Sequence, residues 1–252
     1  MKYGLIGETL GHSASKEIHE KLTDYIYEPH PLSQSEFDAF MEAKDFRAIN
    51  VTIPYKQRVI PYLSAMDEAA QMIGAVNTIV NRDGKLYGYN TDMPGFIYMV
   101  QKNGIDVKNK KVVILGNGGA SLAVQAGVRK MGASELIIMG NRTMKEGMIT
   151  YDECFEKHSD APIVINTSPV GMFPNVDVSP VDLTHFPVCE AVVDIIANPL
   201  TTKLVAQARE LGMVGITGLE MLIAQAKYAA EIFLDTKIPQ ERIDEIYQEM
   251  KE

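Results

Sequence analysis

Short apolar runs alternate with stretches of helical period along most of the 252-residue chain. YGLIG (3–7) reads as a strand and SKEIHEKLTDY after it as a helix. AINVTI (48–53) is the next strand; alternation sets Asn50 and Thr52 on one face and Ile49, Val51 and Ile53 on the other. Pro54 ends that strand and Lys56 stands just beyond it. A helical segment around 64–73 follows, then AVNTIVNRDGKLYGYNTD as a hairpin turning at Asp83-Gly84. A helix starting near Pro94, a favoured first helical position, runs to Gly104.

The pattern changes after Gly104. DVKNKK is polar and linker-like, and KVVIL beyond it is continuously apolar, as in parallel sheets buried on both faces. Helix and strand patterns then alternate: SLAVQAGVRKMG, ELIIMG, a weaker helix near 144–158, PIVINTS, AVVDII, a helix near 200–211, and MVGIT. The last long segment, GLEMLIAQAKYAAEIFLD, is a periodic helix with Leu219, Leu222, Ile223, Ala226, Ala230 and Phe233 on its buried stripe. The expected fold is α/β with two domains. An N-terminal α/β domain covers residues 1–101 together with 219–252, and a doubly wound, Rossmann-type dinucleotide-binding domain covers 102–218.

Charge removes some classes of partner. A net charge of −9 with no Lys/Arg run argues against nucleic acid. The longest apolar runs are too short to span a bilayer, and MKYGLIGE opens as a strand, so a cytoplasmic protein is expected. Cys154 and His158 have a ligand-like spacing, but two candidates do not make a zinc site, so no metal is expected.

The candidate chemistry lies at strand ends. LGNGGAS (115–121) follows a strand and opens a helix, where glycines allow a tight turn and close approach of a pyrophosphate to unpaired N–H groups. Gly116, Gly118 and Gly119 depart from strict G-x-G-x-x-G, with Ser121 at the third position, so a turn needed only for packing is the competing reading. After the next strand, where an NAD site carries a carboxylate, stand Asn141, Arg142 and Thr143; a guanidinium suits a 2′-phosphate, which favours NADP. Lys56 fits a solvated lysine as well as a general acid, and Asp92 fits a carboxylate at a helix N-terminus as well as a catalytic partner. Ser15 reads as an N-cap, Asn77 as a turn residue and Gln225 as half-buried on its helix.

Taken together, SAS (13–15), NVTIPYK (50–56), IGAVNT (73–78), GYNTD (88–92), GNGGAS (116–121), NRT (141–143), NTSPVGM (166–172), DIIANPLTT (194–202) and GLEMLIAQA (218–226) resemble the shikimate dehydrogenase family over almost the whole length. The resemblance implies that Lys56 is the catalytic lysine and Asp92 its partner. It implies that Ser13, Ser15, Thr52, Asn77 and Gln225 hold the carboxylate and hydroxyls of shikimate. Gly116, Asn117, Gly118, Gly119 and Ala120 fall on the pyrophosphate loop and Asn141, Arg142 and Thr143 on the 2′-phosphate site. Ile195 and Gly218 match positions approaching the nicotinamide, and Glu68 one near the cofactor edge. The implied reaction is the reversible, NADP-dependent reduction of 3-dehydroshikimate to shikimate; with the charge and apolar-run readings above, the expectation is a cytoplasmic monomer or homodimer taking a small-molecule substrate, with no nucleic acid or membrane as partner.

The chain departs from the family pattern in three places. Lys16 replaces a usual proline, Ala197 stands where a substrate-contacting tyrosine is common, and Glu146 takes the place of a second basic residue. Ala197 and Glu146 feed an alternative, a paralogue acting on quinate or another polyol acid with NAD. A further alternative is a dinucleotide-binding regulatory protein without turnover.

Overall fold

The computed structural model describes residues 1–10, 14–140 and 147–251. The chain divides into two compact units, residues 1–95 with 222–252, and residues 96–221.

The first unit is built on strands β1 (Tyr3–Gly7), β2 (Glu28–Pro31), β3 (Ala48–Val51), β4 (Ala65–Met66), β5 (Thr78–Arg82) and β6 (Lys85–Tyr89). Their order is β2-β1-β3-β5-β6-β4, with β1 parallel to both neighbours and the β3–β5 and β5–β6 pairs antiparallel. Helices α1 (Ser15–Leu22), α2 (Phe37–Ala43) and α3 (Glu68–Ile73) connect them. Alternate residues of β1 and β3 enter two cores: Ile6, Ile49 and Val51 pack with Phe37, Met41 and Tyr55, while Tyr3, Leu5 and Ala48 pack with Tyr27 and Phe233. The β5–β6 turn is made as expected by Asp83 and Gly84, both at positive φ (52° and 81°), the geometry of a two-residue hairpin.

Three local expectations need correction. β3 ends at Val51, because the Thr52 carbonyl accepts the Tyr55 N–H and turns the chain; Ile53 therefore leaves the alternation and is exposed. The segment 64–73 is not one helix, since β4 pairs with β6 and Asp67 caps α3 by accepting the Ala70 N–H at 2.8 Å. Helix α4 (Asp92–Lys102) starts two residues ahead of Pro94, because Asn90 Oδ1 accepts the N–H groups of Asp92 and Met93.

Among the described residues the second unit has six strands: β7 (Lys111–Leu115), β8 (Glu135–Met139), β9 (Met148–Ile149), β10 (Ile163–Asn166), β11 (Ala191–Asp194) and β12 (Val214–Ile216). All pairs are parallel and the order is β12-β11-β10-β7-β8-β9, which is the doubly wound order with its reversal between β7 and β10. Helices α5 (Gly119–Lys130), α6 (Tyr151–Lys157) and α7 (Lys203–Glu210) alternate with the strands. Val112 and Ile114 face one core with Phe96, Met99 and Val124; Val113 and Leu115 face another with Cys154 and Leu204. Burial on both faces explains the uninterrupted apolar strands. Helix α8 (Leu219–Leu234) buries Leu219, Ile223, Ala226, Ala230 and Phe233, and α9 (Glu241–Met250) ends the chain. The two-unit division falls within α4 and α8.

Candidate functional site

In the first unit the turn after β3, the β5 entrance and the N-terminus of α4 converge. Lys56 is fixed at its backbone, where its carbonyl accepts the Val76 N–H. Its ammonium lies 2.6 Å from Asp92 Oδ2, with side-chain exposures of 13% and 10%. This pairing removes the solvated reading of Lys56: both groups are mostly withdrawn from water and each has its counter-charge in contact. Asp92 sits in the first turn of α4, where the helix dipole favours a carboxylate. Its other oxygen, Oδ1, accepts from Asn77 Nδ2 at 2.9 Å. Asn77 Nδ2 also approaches Gln225 Oε1 at 3.5 Å, the longest contact of the group.

Thr52 is half-buried, and the close approach of β1 and β3 at this end requires glycine at position 7. A Cβ there would lie 2.5 Å from Thr52 Cγ2. Ser15 is the first residue of α1 with Ala14 as its cap residue, so it is not the N-cap it was expected to be. Ser13 lies outside the described residues. Glu68 opens α3.

Asn50 is buried beneath this group, accepting from the Tyr27 hydroxyl at 2.7 Å and donating to the Asn77 carbonyl and Thr78 Oγ1. The Tyr27 contact was not visible in the sequence, where position 27 lies in no recognisable motif. Behind Tyr27, His19 stacks at 4.0 Å and is fully enclosed, and burial lowers its pKa to about 3.

The second unit presents the glycine loop. Gly116 has φ +98°, a left-handed conformation, and a Cβ on it would press within 3.2 Å of Ser168. Gly118, the residue capping α5, differs: its φ is −83° and nothing lies within 4 Å of where a Cβ would stand. Backbone strain and packing therefore do not explain glycine at 118, which leaves the approach to the α5 N-terminus open. Gly119 and Ala120 supply the first turn of that helix. Ser121 turns inward to donate to the Gly116 carbonyl, and Gln125 Nε2 donates to Asn117 Oδ1 at 3.2 Å. A cavity of about 910 Å³ opens beside the loop, lined by Gly116, Asn117, Met139, Tyr151, Ser168 and Val170 among others. Its size and apolar walls suit part of a dinucleotide.

Ile195 and Gly218 are brought into contact: a Cβ at Gly218 would fall 2.1 Å from the Ile195 carbonyl oxygen, so only glycine fits. Just before Ile195, Asp194 is fully buried and accepts from Thr202 Oγ1, Asn166 Nδ2 and the Ile196 N–H. Burial is the largest influence and pushes its carboxyl up to about 6. Among the sequence signals, only the position of an Asp at the end of an apolar strand pointed to this network. Asn141, Arg142, Thr143 and Glu146 lie outside the described residues. Both cysteines are buried free thiols, raised to about 11 by burial, and no metal-ligating cluster occurs among the described residues. Nor, among them, is any helix long and apolar enough to cross a membrane.

Residues 5–79 match the family model described as the shikimate dehydrogenase substrate binding domain. The chain is 38% identical to the shikimate dehydrogenase (NADP(+)) of Halothermothrix orenii, over 93% of this chain and 91% of that one. It belongs to the shikimate dehydrogenase family. Shikimate dehydrogenase 1 of Peptoclostridium difficile, 36% identical, superposes with a TM-score of 0.89, covering 100% of this chain and 98% of that one. The shikimate 5-dehydrogenase of Thermus thermophilus, solved in complex with NADP(H) and shikimate, gives a TM-score of 0.87 at 28% identity and 97% coverage of both chains. The two-domain α/β organisation, with a Rossmann-type second domain, is therefore a family property as well as an observation on this chain.

Proposed function

We propose that this chain is an NADP-dependent shikimate dehydrogenase, catalysing the reversible reduction of 3-dehydroshikimate to shikimate as a cytoplasmic enzyme of aromatic amino-acid biosynthesis. The observation that carries the reading is the enclosed Lys56–Asp92 contact of 2.6 Å, with Asn77 on the second carboxylate oxygen, in a chain of this family. NADP, when bound, supplies or accepts the hydride. On this reading Lys56 stands at the reacting oxygen, where its ammonium stabilises the developing negative charge and hands over a proton. Asp92 orients the lysine and accepts from a ring hydroxyl. Ser13, Ser15, Thr52, Asn77 and Gln225 hold the substrate carboxylate and remaining hydroxyls, so that an analogue lacking one leaves a polar group unpaired.

The α5 N-terminus with Gly116, Asn117, Gly118, Gly119 and Ala120 holds the pyrophosphate, and the open space at Gly118 supports that assignment. Asn141, Arg142 and Thr143 are assigned to the 2′-phosphate, and Ile195 and Gly218 to the nicotinamide end. Ala197, at a position where the family commonly has tyrosine, favours a second reading, a quinate or polyol-acid dehydrogenase that also accepts NAD.

One measurement separates these readings. Steady-state absorbance at the nicotinamide band is followed with shikimate or quinate, each paired with NADP or NAD. The expected result is highest kcat/KM with shikimate and NADP. A preference for quinate or NAD overturns that reading in favour of the second, and absence of turnover with every pair points to a regulatory protein.

A further inference from the structure

The two side-chain amides behind the Lys56–Asp92 pair have only one possible orientation each. The Thr91 N–H is a donor, so the Asn77 atom it meets at 2.8 Å is the side-chain oxygen, which leaves Asn77 Nδ2 facing Asp92 Oδ1. The Asn77 carbonyl is an acceptor, so the Asn50 atom 3.1 Å away is the amide nitrogen, and Asn50 Oδ1 must face the Tyr27 hydroxyl. Asn50 Nδ2 also donates to Thr78 Oγ1, which donates onward to Asn77 Oδ1 at 3.0 Å. Tyr27 is fully buried, and burial holds its phenol well above the usual value, so the hydroxyl remains a donor. Its ring is set by the stacked His19.

Backbone groups thus fix both amide orientations, and the chain of donation runs from Tyr27 through Asn50 and Asn77 to the carboxylate that receives the lysine. We propose that Tyr27 and Asn50 are positioning residues for the Lys56–Asp92 pair, acting through Asn77. This rests on the reading above that the pair carries the chemistry. A buried polar cluster that merely satisfies itself would stabilise the sheet and leave Lys56 indifferent to its loss. In the structure the last member of the chain is the functional carboxylate, and Asn77 donates to it directly.

The test uses the full-length protein with Tyr27→Phe, which removes one oxygen and keeps the ring stack, and with Asn50→Leu. Reductive methylation of Lys56, timed by mass spectrometry of its peptide, reports how well the amine is held whatever the substrate. Steady-state kinetics report the consequence. In folded Tyr27→Phe, Lys56 is expected to be methylated several-fold faster and kcat/KM for shikimate to fall at least about tenfold, as small misplacements of reacting groups do. KM for NADP is expected to stay within about twofold of the parent value. Parent-like methylation and parent-like kcat/KM in Tyr27→Phe, with only a lower melting midpoint, overturn the proposal. If Asn50→Leu does not fold, Tyr27→Phe decides alone. If the parent enzyme does not turn over shikimate, the functional reading fails, and the methylation rate still decides whether Tyr27 positions the lysine.

Discussion

The two units of this enzyme build their working surfaces from opposite materials. In the first, the proposed site is made of side chains: Lys56, Asp92, Asn77 and the residues beneath them, tied to one another by hydrogen bonds. In the second, it is made largely of bare backbone: a glycine turn, a helix N-terminus and the tight contact of Gly218 with Ile195. The difference follows from what each is proposed to hold. A polyhydroxylated ring must be told from its analogues, which requires donors and acceptors placed one by one. A pyrophosphate presents the same oxygens in every dinucleotide, and peptide N–H groups with room around them suffice.

The contrast predicts where damage falls, and the largest effect is expected at the lysine. Lys56→Ala should lower kcat by about 10²- to 10⁴-fold, the range typical of a lost general acid, while NADPH binding, followed by the fluorescence of its reduced nicotinamide, stays at the parent value. Retention of near-normal kcat would remove Lys56 from its role.

Next comes Gly218→Ala. Its Cβ would meet a backbone oxygen at 2.1 Å, and backbone does not yield as a side-chain tip does. A loss of about 3 kcal/mol is expected in denaturant unfolding, with unfolding of the second unit at lower denaturant.

The third test uses the oppositely titrating groups hidden in the two units. His19 in the first has a pKa of about 3 when folded against an ordinary value of 6.5, so the unfolded state binds more protons and this unit loses stability as pH falls below 6.5. Asp194 in the second is raised to about 6 from an ordinary 3.8, so the folded state binds more protons and stability is lost as pH rises through that window. Between pH 6.5 and 5, hydrogen exchange should show the core amides of the first unit weakened by roughly 2 kcal/mol and those of the second strengthened by roughly 1 kcal/mol. His19→Gln and Asp194→Asn should each flatten the slope of their own unit, and equal slopes in both variants and parent would sink the comparison.

The smallest effect is expected at Gly118→Ala. With open space around it and an ordinary φ, the methyl group should leave the melting midpoint almost unchanged and weaken NADP by about tenfold, since it stands where the pyrophosphate is proposed to be held. A drop in stability with unchanged affinity would reverse that assignment.

Much of this was legible in the chain. The parallel strands of the second unit announce themselves because both faces are buried, and the Asp83-Gly84 turn because few other pairs accept its backbone angles. Other features were not. β2 reads EPHP, an edge strand whose prolines and largely exposed surface erase any alternation. The pattern could not show that β3 stops at Val51, since the stop is made by a turn hydrogen bond. At the site, Lys56, Asp92 and Asn77 sat in motifs that could be read side by side. Tyr27 could not be found that way, because its importance comes from a contact with Asn50 that exists only once β1, β2 and β3 are assembled.

Asn77 belongs to the scaffold and the site at once. Its carbonyl accepts the Val51 N–H at 2.8 Å where β3 meets β5, and its own N–H donates to the Tyr89 carbonyl at 3.1 Å, while its amide holds Asp92. A hairpin that slipped by one residue would carry that amide to the opposite face and leave the carboxylate without it. Misregistered molecules are thereby silent as well as unstable, so activity in a refolded sample counts only correctly threaded chains. For an engineer seeking a new substrate, position 77 is the one to leave alone; Ala197, outside any strand or helix and half-exposed, is where variation is free to begin.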